Sequence, residues 1–393
     1  MKLGFRTKMQ IYRATSFWLF RQLRQQGWPF NRLKGIDEAL REGLIDHYSH
    51  KFSSKPIDSS IRPIHLARAE VELYCQQFEQ IAPSVLPEVG VAELADVLVD
   101  MPTCVHRCSD RMLRNGVIDI GLLTNIKYLN AFVTAPLRPK QKLPGGVLLG
   151  LPYLKNYYHW LIEILPRIQL IENDSRYANQ PWFLPAECPR FVRTMIEVAG
   201  YSDRVRYLER GIYRFERLAI PTAMSVSEGA SHPNEINWLR KTFLADTRDR
   251  PTRRLLISRS DSPQRFLVNE SEALERLAPL GFELIQPGKL DFASQVKIFS
   301  EAQIVVGPHG AAFANIAFCS VNTGLIEIFA SNHVNFSYSQ IAKIRQMTYG
   351  VVVGEPSGLG ISVNLDELEE TVQRVISAVE LLKTKGVLMS LND

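Results

Sequence analysis

A histidine and a glutamate four residues apart offer acid–base chemistry in the first half of the sequence. In the segment NYYHWLIEILPR, His159 precedes Glu163 by four residues, and Asn156 lies three residues before His159. Residues at this spacing share one face of a helix. An imidazole beside a carboxylate can serve as a general base, with one group taking the proton and the other orienting it. The alternative interpretation is a buried polar pair that fixes the docking of the helix.

A second candidate site follows an apolar run in the second half. The segment QIVVGPHGAAFANIAF breaks at a Gly-Pro-His-Gly turn and then resumes apolar residues at helical spacing. The N–H groups and the dipole of a helix start attract an anion, and His309 would donate to a phosphate oxygen there. We expect Gly310 to allow a close approach of the backbone, Ala311 to keep the first turn small, and Asn315 to lie one turn further on. A tight strand–helix turn with an incidental histidine is the alternative.

Three charged residues favour a nucleotide at this second site. Arg259 is predicted to end a strand at the same sheet edge, and Arg265 follows it in the loop. Two guanidinium groups beside a helix start suit a diphosphate. Glu327, on a later predicted strand, could hold ribose hydroxyls or form an ordinary salt bridge. The sequence has neither a Walker lysine turn nor a dinucleotide fingerprint, which argues against ATP hydrolysis and against NAD or FAD.

Short strands alternate with helices around the second site. The predicted strands are RRLLISR, FELIQP, QIVVG, GLIEIF and MTYGVVVG. Asn269 with Glu272 has the spacing of a helix capping box, and Asp291 is a predicted cap of the next helix. This alternation predicts an α/β fold with a parallel, doubly wound sheet, whose ligands bind beyond the carboxyl ends of the strands.

The size of the chain predicts two domains preceded by a basic segment. Its 393 residues exceed one ordinary core. We place the boundaries at residues 1–60, 61–235 and 236–393. Every charged side chain up to residue 35 is positive, and aromatic residues interleave with them. This segment fits either a helix lying on anionic lipid or a solvated helix whose aromatic side chains pack on the protein. No nucleic-acid-binding motif accompanies the charge, so nucleic acid is disfavoured as a partner.

The cysteines and the hydropathy favour a cytoplasmic protein. The five cysteines are an odd, scattered set, which is untypical of a disulfide framework. Cys104 and Cys108 lack the second pair of ligands that a zinc finger needs, so we expect reduced thiols and no metal site. We find no apolar stretch long enough to cross a bilayer and no signal peptide.

Several segments, taken in order, resemble glycosyltransferase family 61, whose bacterial members are often described as capsular polysaccharide biosynthesis proteins. The resemblance rests on NYYHWLIEILPR, LLISRSDSPQRFLVNE, LGFELIQP, ASQVKIFSEAQIVVGPHGAAFANIAF and GLIEIF. It covers roughly Gly146 to Phe329, and the first 140 residues carry nothing that matches.

The resemblance implies a GT-B fold, in which two Rossmann-like domains with parallel sheets face a cleft. It implies an inverting hexosyl- or pentosyltransferase that uses a nucleotide sugar, usually a UDP-sugar, with a glycan or lipid-linked acceptor and no obligatory metal or other cofactor. The resemblance places Arg259, the turn from His309 to Ala311, and Asn315 on the side of the donor diphosphate. Glu327 falls near the nucleoside, and the His159–Glu163 helix falls on the acceptor domain.

The charge pattern of the first residues and the resemblance further along the chain together predict roles for the three regions. Residues 1–60 form a basic helical segment and linker, 61–235 a Rossmann-like acceptor domain, and 236–393 a Rossmann-like domain that binds the nucleotide sugar and ends in a helix. Eukaryotic relatives carry signal anchors, which we do not find here. We therefore expect a cytoplasmic enzyme with peripheral contact at the inner face of a bacterial plasma membrane. Two alternatives stay open: another GT-B-like enzyme of polysaccharide synthesis, such as an epimerase or pyruvyl transferase, and a non-catalytic nucleotide-sugar-binding module.

Overall fold

A computed structural model describes most of the chain after residue 45. The described residues are 46–53, 55–56, 63, 69–81, 85–86, 88–101, 104–108, 111–112, 141–224, 231–244 and 251–390. The basic segment up to residue 35 lies outside this part, so its membrane contact stays a prediction.

The chain forms two compact units, each built from two separate stretches of sequence. The first consists of Met1–Lys55 and Pro87–Ser227, and the second of Pro56–Leu86 and Glu228–Asp393. Residues 56–86 thus fold with the second unit, although the predicted boundaries assign nearly all of them to the first domain.

The first unit is built on an eight-stranded mixed sheet. Up to residue 221 the strands and α-helices of the chain are β1 His47–Phe52, β2 Lys55–Pro56, α1 Ala69–Ile81, β3 Val85–Leu86, β4 Val89–Met101, β5 Val105–Cys108, β6 Arg111–Met112, β7 Gln141–Leu148, β8 Trp182–Pro185, α2 Arg190–Val198, β9 Val205–Leu208 and β10 Gly211–Pro221. Of these, α1 and β3 belong to the second unit. The order in the sheet is β6-β5-β4-β10-β7-β8-β9, and β1 also pairs with β4. Strands β10, β7, β8 and β9 are parallel, whereas β4 runs antiparallel to β10, β5 and β1.

This sheet differs from the prediction in two ways. The long strands β4 and β10 pair antiparallel along almost their whole length, so only part of the sheet has the parallel order that a Rossmann-like domain implies. In addition, β1 falls in a segment predicted to be helix and linker. Six residues with weak patterning carry little intrinsic preference, and pairing with β4 decides their conformation.

The segment NYYHWLIEILPR is helical, as predicted, but it is not a regular α-helix. His159–Ile164 forms a π-helix, and Leu165–Leu170 continues it as a 3-10 helix with Pro166 in its first turn. Residues Trp160 to Ile164 are all buried. Single π-turns are rare and frequently lie at functional sites.

The second unit confirms the predicted parallel, doubly wound sheet. Its elements from residue 233 are α3 Pro233–Phe243, β11 Arg253–Ile257, α4 Glu270–Leu277, β12 Phe282–Ile285, α5 Phe292–Ser300, β13 Ala302–Pro308, β14 Gly324–Ala330, α6 Ser339–Ile344, β15 Thr348–Ser357, β16 Gly360–Ser362 and α7 Leu365–Ser390. The order is β12-β11-β13-β14-β15-β16, and all pairs are parallel except the final hairpin. Helices α4 and α7 pack an apolar cluster against one face of this sheet.

One of the two predicted helix caps in this unit is confirmed. The Asp291 carboxylate accepts the N–H of Ser294 at 2.7 Å and begins α5. Asn269 precedes α4 but makes no capping bond. Its carboxamide instead exchanges two hydrogen bonds with the backbone of Val363, so a tertiary contact takes the groups that a cap would use. Within the described residues, the helices lack an apolar stretch of the length that a membrane crossing requires.

Candidate active site

The strand order of the second unit contains a switch point, where the connections between strands change direction. Strands β11 and β13 are neighbours, and the connection after β11 leads to β12 on one side, whereas the connection after β13 leads to β14 on the other. Doubly wound sheets bind their ligands at such a switch point, beyond the carboxyl ends of the strands. Arg259 follows β11 after one residue, and His309 with Gly310 directly follows β13. The fold therefore brings these predicted site residues to one edge.

Arg259 is a nearly buried cation with unused hydrogen-bonding capacity. It is 9% exposed, and its Nη2 donates to the Ser262 hydroxyl at 2.9 Å and to the Gln264 carbonyl at 3.2 Å. Its Nε is buried and has no hydrogen-bond partner among the described residues. Burial, and then the charge of Arg265, lower the pKa of Arg259. Structural cations at such depth are normally paired, so this guanidinium is typical of an anion site.

Gly310 is the residue on which this guanidinium rests. A β-carbon built on Gly310 would overlap Nη1 of Arg259. The backbone of Gly310 is extended, with φ 176°, so the requirement for glycine is steric and comes from the arginine. This differs from the predicted role, in which the missing side chain only opens the backbone to a ligand.

Arg265 is the more accessible of the two arginines and is held in an unusual backbone conformation. Its φ is +58°, and its N–H donates to the Leu359 carbonyl at 2.6 Å. Its Nη1 donates to Nε2 of His333 at 2.9 Å. Left-handed backbone at a residue other than glycine is uncommon and often accompanies function. In the described part of the chain, neither Arg259 nor Arg265 forms an ion pair with a carboxylate.

His309 is oriented by a buried carboxylate. Its Nδ1–H donates to Glu327 Oε1 at 2.8 Å, and the Tyr349 hydroxyl donates to Glu327 Oε2 at 2.7 Å. Burial raises the pKa of Tyr349, which keeps this phenol protonated as a donor. His309 is 7% exposed, and because its Nδ1 is engaged, its Nε2 is the nitrogen that can meet a ligand.

Two predicted ligands lie deeper than a direct contact with substrate requires. Glu327 is fully buried, and each of its oxygens accepts one of the bonds just described. Asn315 is also fully buried, and its amide donates to Gln295 Oε1 at 2.9 Å and to the Ala312 carbonyl at 3.1 Å. Both residues are therefore placed to position the side chains and backbone at this sheet edge, not to contact a substrate. Ala311 begins a 3-10 helix, Ala311–Phe318, whose first N–H groups lack partners within the helix.

Sequence reasoning overlooked two residues that follow β14. The Tyr338 hydroxyl donates to the Gly310 carbonyl at 2.8 Å, and its ring contacts His309. His333 lies beside Arg265, with its ring centroid 6.1 Å from that of His309. Their position in the sequence could have indicated them. In a parallel sheet, the loop after β14 must leave at the same edge as the loops after β11 and β13.

The first unit contains the second candidate centre, around His159. The predicted pair is formed: Nδ1–H of His159 donates to Glu163 Oε2 at 2.6 Å. The His159 side chain is 23% exposed and that of Glu163 only 5%, so the imidazole is the group that can reach a substrate. Tyr153 stacks on the His159 ring at 4.9 Å. Asn156 accepts the N–H of Tyr158 at 2.9 Å, which places it at the start of the helical segment.

Arg167, in the same segment, is a fully buried cation that sequence reasoning did not single out. Its guanidinium donates to the Leu149 carbonyl at 2.9 Å and, through Nε, to the Pro221 carbonyl at 2.9 Å. Burial lowers its pKa to about 9. It joins the helical segment to the ends of β7 and β10 and so fixes where His159 lies.

The described residues show neither a metal cluster nor a reactive thiol. Among them, no three His, Cys, Asp or Glu side chains are grouped as metal ligands. Cys75, Cys104, Cys188 and Cys319 are buried free thiols. Burial raises the pKa of Cys75 to about 11 and that of Cys319 to about 12, which disfavours the nucleophilic thiolate.

Comparison with known proteins matches part of the chain to one protein family. Residues 157–326 match the family model described as Glycosyltransferase 61. The match begins in the helical segment that carries His159, includes Arg259, Arg265 and His309, and ends within β14. A search of curated proteins found no match to the chain. The chain therefore contains a glycosyltransferase family 61 domain and is a glycosyltransferase.

Proposed function

We propose that the protein is an inverting glycosyltransferase that moves a hexosyl or pentosyl group from a UDP-sugar to a glycan or lipid-linked acceptor. We place this reaction in capsular or other surface polysaccharide synthesis, in the cytoplasm at the inner face of the plasma membrane. The family match supports the class of enzyme. The observation that supports the donor site most strongly is the pair of arginines, Arg259 and Arg265, that meet at a switch point without a carboxylate partner in the described part of the chain.

The donor diphosphate binds at this edge through charge and backbone N–H groups. Arg265 contacts it, Arg259 contributes positive charge from beneath, and His309 Nε2 faces it. The first N–H groups of the 3-10 helix add donors. Such preorganised groups stabilise the charge that develops on the leaving diphosphate, which is the task that a metal ion performs in other transferases. The reaction that we propose requires no metal or other cofactor.

The acceptor is activated by His159. Its Nε2 takes the proton of the acceptor hydroxyl as the oxygen attacks the anomeric carbon from the face opposite the diphosphate. The new carbon–oxygen bond forms while the bond to the phosphate oxygen breaks, and UDP leaves with that electron pair. Glu163, bonded to Nδ1–H, orients the ring and stabilises the imidazolium that forms. The proposal includes the GT-B arrangement, because both centres must act on one pair of substrates.

Calorimetry with UDP and arginine variants tests the donor site. We expect Arg265→Ala to weaken UDP binding at least roughly tenfold, because a charge-assisted bond to phosphate is lost. Arg276→Ala is the matched control, since Arg276 is an exposed arginine that pairs with Asp366 and Glu369. Equal affinities of wild type and Arg265→Ala for UDP would contradict the proposal that the diphosphate binds at this edge. A thermal-shift panel of UDP-, GDP-, ADP- and CDP-sugars then identifies the nucleotide.

Removal of the basic segment tests the proposed location. Without residues 1–35 we expect the protein to move from the membrane fraction to the soluble fraction of lysed cells, because eight positive charges no longer meet anionic lipid. The full chain washed with high salt is the control. Unchanged membrane recovery of the shortened protein would contradict a peripheral anchor in this segment.

A further inference from the structure

His333 stands at the donor edge without a role in the function proposed above. Its N–H donates to the Ala330 carbonyl at 2.8 Å, so it turns back directly after β14. Its Nε2 accepts from Arg265 Nη1 at 2.9 Å, and its ring centroid lies 6.1 Å from that of His309. His333 is an exposed residue. A titratable ring is therefore placed between the accessible arginine and the histidine that face the proposed diphosphate.

The contact with Arg265 defines the protonation state of this ring. A guanidinium can only donate, so His333 must be neutral to accept at Nε2. Burial, then the charge of Arg265, and then His309 lower the pKa of His333. These two neighbours come from the loops after β11 and β13, and Glu327, behind His309, has both oxygens engaged. No carboxylate in the described part of the chain forms an ion pair with His333.

We propose that His333 is a further ligand of the donor diphosphate and takes up a proton when the diphosphate binds. This inference rests on the proposed function, which brings the diphosphate to this edge. An anion placed among Arg265, His309 and His333 reverses the electrostatic balance and favours the imidazolium. Once protonated, Nε2 no longer accepts from Arg265, so both the arginine and the new N–H can donate to phosphate oxygens.

Proton uptake on binding is the measurement that separates this role from a structural one. UDP is titrated into the full-length protein at pH 7 in two buffers with different enthalpies of ionisation. We expect wild type to take up roughly half a proton at pH 7, so that affinity falls about twofold from pH 7 to pH 8 as the uptake decreases. Any proton that UDP still carries at pH 7 would be released on binding beside cations, so the ligand itself cannot cause proton uptake.

The variants assign the proton to one residue. We expect His333→Gln to lose the uptake and to bind UDP several-fold more weakly. His333→Lys should regain affinity without uptake, because its charge is permanent. His50→Gln is the control, since His50 is a histidine of the first unit that is paired with Glu88. Thermal unfolding of each variant shows that it is folded.

Two results with the variants overturn the assignment of the proton to His333, and two results with wild type test the donor site and the uptake themselves. Uptake that persists unchanged in His333→Gln places the proton elsewhere, and uptake that disappears only in His309→Gln places it on His309. If wild type binds none of UDP, GDP, ADP and CDP, the donor site itself is wrong and this inference fails with it. If UDP binds without net uptake, the donor site stands and the inference alone fails.

Discussion

Replacing His159 by glutamine is expected to lower turnover by roughly a hundredfold or more while UDP binding stays at the wild-type level. The imidazole is the exposed member of the pair, and its Nδ1 is held by Glu163 at 2.6 Å, which leaves Nε2 for the acceptor hydroxyl. Glutamine keeps polarity and approximate size but cannot take the proton. The measurement is the initial rate of UDP release with acceptor present, together with calorimetry of UDP.

Glu163→Gln distinguishes the base from its positioning partner. The amide oxygen can still accept from Nδ1–H, but it carries no charge to stabilise the imidazolium, so we expect a loss smaller than that in His159→Gln. Tyr157→Phe is the matched control on the same helical segment, because its ring contact with Phe191 survives. A larger loss in Glu163→Gln than in His159→Gln would make Glu163 the base. Wild-type rates in both variants would show that His159 and Glu163 have no role in catalysis.

Gly310→Ala is expected to weaken UDP binding at least roughly tenfold, although alanine is the smallest possible addition. The new methyl group would occupy the space of Arg259 Nη1, so the guanidinium must leave its position. The same guanidinium donates to the Ser262 hydroxyl and to the Gln264 carbonyl, so the loop after β11 would shift when the guanidinium moves. Calorimetry with UDP measures the effect, and thermal unfolding shows that the variant remains folded.

A double-mutant cycle isolates this steric cause. In the Arg259→Ala background the obstructing guanidinium is absent, so Gly310→Ala should cost little further affinity, and the two substitutions should be strongly non-additive. Additive losses would mean that Gly310 serves a ligand directly, as the sequence interpretation supposes. Full affinity of Gly310→Ala alone would contradict both accounts of this glycine.

The sequence predicted most of the second unit because its signals are local. Buried strands bounded by turns, the cap at Asp291 and the alternation of elements depend on neighbouring residues, and they specify the parallel sheet. The edge that gathers Arg259 and His309 follows from that sheet alone. The His159–Glu163 pair was predictable for the same reason, since one helical turn separates the two residues.

What escaped prediction depends on long-range pairing. The Asn269 carboxamide bonds to Val363, ninety-four residues away along the chain. The Glu327 oxygens accept from His309, which directly follows β13, and from Tyr349 on β15. Composition and spacing contain no record of such partners. The antiparallel pairing of β4 with β10 joins segments more than a hundred residues apart, so the mixed first sheet was equally inaccessible.

The assembly of the second unit from two stretches of chain bears on how the protein is made. Residues 56–86 emerge from the ribosome long before the rest of the second unit, and residues 87–227 of the first unit are synthesised in between. Helix α1 must therefore wait, with Cys75 uncovered, until the Ser331 carbonyl is available to accept a hydrogen bond from the Tyr74 hydroxyl. A nascent chain with such a delay depends on chaperones more than one whose domains close in order.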